Sequence, residues 1–154
     1  MILNELFVKP TGIDWNLTID KIRFAGGDHT VAYEAGLPDQ SKLQFYAVDK
    51  KSYWIVEFGV KSKEDRCFNT GITGTGNAAL IFGAVAECLR KFIAQKNPWR
   101  IKFSASTKEP SREKLYAILA KKIAGEMHWR CDIKKGDRVT TYTISEPTEP
   151  DPTT

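Results

Sequence analysis

The segment Gly71-Ile72-Thr73-Gly74-Thr75-Gly76 carries three glycines in the order GxxGxG, between an apolar run Tyr53 to Val60 and a helix-like run that opens near Asn77. Glycines let a backbone approach a ligand closely, and the unpaired amides of a helix N-terminus attract phosphate. A phosphate cradle is therefore one reading of this turn. A tight helix-on-sheet connection with no ligand is the other. Two common cradles do not fit. A Walker A loop needs Lys-Ser/Thr after the last glycine, where Asn77-Ala78 stands here. A dinucleotide fold needs GxGxxG near the start of a long parallel sheet, and these glycines come in another order with little chain downstream.

Other side chains that could do chemistry are sparse. His29 and His128 are far apart in sequence, with no ligand spacing, so no metal site is expected. Ser104, Ser106 and Ser111 lack a Gly-x-Ser-x-Gly elbow, which disfavours serine hydrolysis. Cys67, Cys88 and Cys131 form no CxxC pair and are odd in number, against both a disulfide framework and a cysteine zinc site. Cys88 lies in an apolar helical run and reads as a small core hydrophobe. Basic and aromatic residues mix in Trp99-Arg100-Ile101-Lys102-Phe103 and His128-Trp129-Arg130, where core packing is the plainer reading than a stacking platform for bases.

The elements that must hold these residues change character midway. Ile19 to Phe24, Val31 to Glu34, Leu43 to Val48 and Tyr53 to Val60 are strand-like and joined by short turns, so they predict an antiparallel meander. From about Asn77 to Gln95 the pattern is helical and apolar around much of its girth, which predicts a helix deep against a sheet; Asn97-Pro98 stops it. Trp99 to Ala105 alternates, with Ile101 and Phe103 on one face and Arg100 and Lys102 on the other. A second helix is expected from Pro110 to Ala124, ended by Gly125. His128 to Ile133 and Arg138 to Ile144 close the chain as a hairpin. The expected fold is α/β of the α+β kind: a meander followed by β-α-β-α-β-β, giving a mixed sheet flanked by two main helices.

This element order, with Gly74-Thr75-Gly76 opening the central helix and Leu115-Tyr116 in the next one, resembles the Gcn5-related N-acetyltransferase family over roughly Tyr53 to Ile144. The resemblance implies acetyl-coenzyme A as cofactor. Its pyrophosphate would lie on Gly71, Thr73, Gly74, Thr75, Gly76 and Asn77, and its pantetheine arm would pair with Phe58, Gly59 and Val60. Ser104, Lys108 and Arg112 would line or hold the coenzyme. Tyr116 would protonate the leaving thiolate, and Glu57 is the candidate general base. A small amine or a protein would be the acceptor. Gly71 stands where the family pattern begins with Gln or Arg. Ile72 to Ala78, with Phe103-Ser104-Ala105 and Pro110-Ser111-Arg112, also resembles small bacteriophage proteins, which implies a phage source and no activity. The alternative function, favoured by Gly71 in place of Gln or Arg, is a non-catalytic phage-encoded binding or virion protein on the same scaffold, with a host or phage protein as partner.

Length and composition bound these readings. The 154 residues, 42% hydrophobic and 27% charged, suit a single globular domain over 1–145. The proline-rich acidic stretch 146–154 has no hydrophobe to bury and reads as a disordered tail. Lys96 to Arg138 holds twelve Lys/Arg against five Asp/Glu, a net +7 within a chain of net +4. That surplus suits a phosphorylated ligand, a nucleic-acid backbone or a solvated surface; nucleic acid is the weakest of these and is not the expected partner. Met1-Ile2-Leu3 passes at once to Asn4 and Glu5, unlike a signal peptide, and the apolar run Ala78 to Ala86 is too short to span a bilayer, so a cytoplasmic, membrane-free protein is expected.

Overall fold

A computed structural model of the chain describes residues 12–22, 28–38, 40–61 and 78–147. Seven strands form one sheet: β1 (Asn16–Ile22), β2 (His29–Gly36), β3 (Lys42–Asp49), β4 (Trp54–Lys61), β5 (Arg100–Ser106), β6 (Arg130–Lys135) and β7 (Val139–Ser145). Their order across the sheet is β1-β2-β3-β4-β5-β7-β6. Every neighbouring pair is antiparallel except β4 with β5.

The turns explain the meander. The Leu37 amide donates to the Ser41 carbonyl at 2.9 Å, and the Lys50 amide to that of Tyr53 at 2.8 Å, so each chain reversal is too short for anything but an antiparallel return. The parallel step from β4 to β5 instead needs a crossover, and helix α1 (Ala78–Lys96) lies within it. Helix α2 (Pro110–Met127) then leads from β5 to the closing hairpin.

Strand alternation sends Leu43, Phe45 and Ala47 of β3, Trp54, Val56 and Phe58 of β4, and Ile101, Phe103 and Ala105 of β5 into one core. Both helices pack on that face. Phe92 of α1 meets Trp54 (ring centroids 5.1 Å apart) and Phe45 (5.7 Å). Tyr116 of α2 meets Phe58, Phe103 and Tyr142. The deep burial expected of the first helix is present, from Ile81 to Ile93, and Cys88 is wholly buried there. Burial pushes the Cys88 thiol far up, as fits an inert core residue.

The second helix does not end at Gly125. It runs through to Met127 and stops at His128, whose φ of 58° is left-handed; the His128 amide reaches the Gly125 carbonyl and the Trp129 amide that of Ala124. The first strand begins earlier than expected: β1 covers Asn16–Ile22, and Arg23 and Phe24 of the expected strand lie outside the described residues. Among the described residues no helix is long and apolar enough to cross a membrane. The Glu146 amide donates to the Trp99 carbonyl at 2.8 Å; the tail residues 148–154 lie outside the described part.

Candidate functional site at the parting of two parallel strands

β4 and β5 pair only at Trp54 with Ile101 and Ile55 with Lys102. β4 then runs on to Lys61, held on its other side by β3, and β5 runs on to Ser106, held by β7. Beyond Ile55 the two facing edges have no strand between them among the described residues. Backbone donors and acceptors along such an edge need partners, and a ligand carrying amides can supply them.

A cavity of about 390 Å³ occupies this parting. Val56, Phe58, Phe103 and Ala105 line it from the helix-covered face, while Ile55, Glu57, Lys102 and Ser104 line it from the opposite face. It therefore reaches through the sheet, between the strands. Arg112 and Tyr116 of α2 close the helix side.

Tyr116 is 3% exposed. Its ring is fixed by Phe58 at 5.0 Å and by Phe103 at 5.8 Å. Its hydroxyl has no hydrogen-bond partner among the described residues. Burial pushes the phenol up to about 12, against the opposing pull of the Arg112 guanidinium, and Glu109, Tyr142 and Glu57 add to the rise. The phenol thus keeps its proton at neutral pH. Being a weaker acid than an ordinary thiol at about 8.5, it gives a hydrogen bond more readily than it surrenders the proton.

Arg112 is buried rather than on the surface, at 6% exposure. One of its terminal nitrogens lies 2.7 Å from a Glu109 carboxylate oxygen, an ion contact without aligned hydrogen-bond geometry. The Glu109 carboxylate offsets part of the cost of burying this cation beside the cavity. Glu57 is exposed on the face away from the helices, opposite Tyr46 of β3.

Of the other candidates, Ser104 lines the cavity with its hydroxyl 3.5 Å from that of Thr141. Gly59 and Val60 continue along β4 beyond the lining, and Lys108 is exposed at the turn before α2, also outside it. Gly71, Thr73, Gly74, Thr75, Gly76 and Asn77 lie outside the described residues. Tyr53 and Lys102 were not foreseen as site residues. Strand alternation does put Lys102, Ser104 and Ser106 on one face, but nothing local says that this face borders a cavity.

No protein-family model matches the sequence, and a search of curated proteins finds no match. Among solved structures, a chimera of the spermidine N-acetyltransferase SpeG from Vibrio cholerae and hSSAT is similar with a TM-score of 0.47 at 10% identity, over 75% of this chain and 67% of that one. A point mutant of the same Vibrio cholerae enzyme gives 0.45 at 10% identity, over 75% of this chain and 65% of its own. This chain thus spans about two thirds of their length. Likenesses this weak carry nothing about activity.

Proposed function

We propose that this chain is an acyl-coenzyme A-dependent N-acyltransferase acting on a small amine or a protein amine. One observation carries the proposal: two parallel strands part over a cavity that a protonated tyrosine, a buried arginine and an exposed carboxylate all border. The unpaired edge of β4, from Phe58 through Gly59 and Val60, offers backbone groups to a ligand with amides of its own, and the apolar lining suits an extended arm.

Acetyl-coenzyme A would supply an acyl carbon to which an amine nitrogen bonds as the carbon–sulfur bond breaks, the sulfur leaving as thiolate. Glu57 would pair with the acceptor's ammonium and take the first of the two protons that nitrogen must lose; the second, lost as the carbon–sulfur bond breaks, would end on the departing sulfur. Tyr116 would point its hydroxyl to where negative charge gathers on sulfur, and its high proton affinity makes it a donor there at neutral pH. Arg112 and Ser104 in the lining, with Lys108 outside it, would meet the coenzyme's polar groups. The amides of Gly71, Thr73, Gly74, Thr75, Gly76 and Asn77 would take the pyrophosphate.

The test is thiol release from acetyl-coenzyme A with a panel of amines. Release that depends on the amine and collapses in Glu57→Gln is the expected result. A folded protein that binds the coenzyme yet releases no thiol with any acceptor would leave the scaffold as a binding protein.

A further inference from the structure

Two charges of opposite sign border the cavity on the face away from the helices, and they do not pair with each other. Ile55 and Lys102 sit in register across β4 and β5, so Glu57 is one same-face step beyond, about 7 Å along the strand. Both Glu57 and Lys102 line the cavity. Among the described residues neither side chain has an ion-pair partner. The Lys102 ammonium stands 4.3 Å over the centre of the Tyr53 ring, itself part of the lining. That contact steadies the charged head without neutralising it. Arg112, the other cation of the lining, is on the helix side and already touches Glu109.

An acceptor entering from this face meets a carboxylate and, beside it, a positioned cation. An ammonium suits the first. A second ammonium on the same molecule, as in a diamine, would be driven against Lys102, whereas an anionic group would be held by it. We propose that the acceptor is a small zwitterionic amine, its ammonium on Glu57 and its carboxylate or phosphate on Lys102, with Lys102 selecting it. The proposal rests on the acyltransferase reading for the reaction, but its binding geometry does not.

The experiment compares matched acceptors differing by the anionic group: lysine with cadaverine, histidine with histamine, and phosphoethanolamine with ethanolamine. The first two pairs report on a carboxylate and the third on a phosphate. The expected kcat/KM for the preferred zwitterion is at least about tenfold above its plain amine. Lys102→Met should bring that ratio to within about threefold, and Lys102→Arg should keep it, since the charge remains. Calorimetric titration of the same compounds without coenzyme gives a second readout, in which Lys102→Met and Glu57→Gln should each weaken zwitterion binding about tenfold. Plain amines used as well as their zwitterions, or a preference that survives Lys102→Met in a folded protein, overturns the proposal. If no acceptor is turned over while zwitterion binding is present and lost in both variants, the acyltransferase reading falls and the inference about the cavity stands. If no zwitterion binds, the inference falls whatever the amines do.

Discussion

The ring of Tyr116 lies 5.0 Å from that of Phe58, centroid to centroid, and ties α2 to β4 where β4 has parted from β5. The contact joins the aromatic core to the cavity through one side chain. Tyr116 belongs to the core and also lines the cavity, so the packing of its ring and the role proposed for its hydroxyl separate by mutation.

Tyr116→Phe keeps the ring and removes only the hydroxyl. It should cost under about 1 kcal/mol of stability and, on the proposed function, leave coenzyme affinity unchanged and lower kcat, because the role proposed for the hydroxyl appears only as charge develops on sulfur. Tyr116→Ala should cost about 3 to 5 kcal/mol through the space left among Phe58, Phe103 and Tyr142. Urea unfolding and thiol-release kinetics on both variants check this.

Stability should fall at alkaline pH. Burial raises Tyr116 and Tyr142 to about 12 in the fold, while an unfolded phenol titrates near 10. Between those values the unfolded chain has lost protons that the folded chain retains. The stabilisation is therefore complete below about pH 10 and disappears as pH rises through about 12. On the acid side the Arg90 guanidinium, bonded twice to Glu126 at 2.8 Å, holds that carboxyl below its ordinary range. Its contribution is present above the unfolded value and is lost as pH falls through the folded one. Urea midpoints across pH should show both losses, the alkaline one reduced in Tyr116→Phe.

Gly125 and Gly136 should respond oppositely to alanine. A Cβ at Gly125, inside α2, meets nothing within 4 Å. Gly125→Ala should therefore stabilise by about 0.5–1 kcal/mol through helix propensity and a less flexible unfolded chain. At Gly136, in the turn between β6 and β7, a Cβ would lie 2.9 Å from the Val139 carbonyl oxygen, the same oxygen that accepts the Gly136 amide hydrogen bond. Gly136→Ala should destabilise. Thermal melts of the two variants, shifting in opposite directions, check the pair.

The same glycine shows where sequence reading falls short. A glycine near the end of an apolar stripe looks like a helix stop, yet Gly125 continues the helix, and His128 supplies the left-handed turn that a glycine commonly takes. Local periodicity was enough for β5, whose Ile101 and Phe103 are buried while Lys102 is half-exposed, and for the deep face of α1. It was not enough for the site. The parting of β4 and β5 depends on two strands separated by a whole crossover, and no local pattern encodes their divergence. Arg112 looks like an ordinary helix charge in sequence, because its burial comes from the cavity wall it joins. Lys102 reads as a solvent-facing strand residue for the same reason. Tyr116 and Glu57 became candidates only through the family resemblance, and the fold adds that both border one cavity.

The central claim is that the parting of β4 and β5, with the glycine turn, receives an acyl-coenzyme A. Calorimetric titration of the folded protein with acetyl-coenzyme A tests it most directly. The account predicts saturable binding well below millimolar, weakened at least tenfold, about 1.4 kcal/mol, by Gly76→Val. No detectable binding at millimolar ligand by a well-folded protein would contradict it.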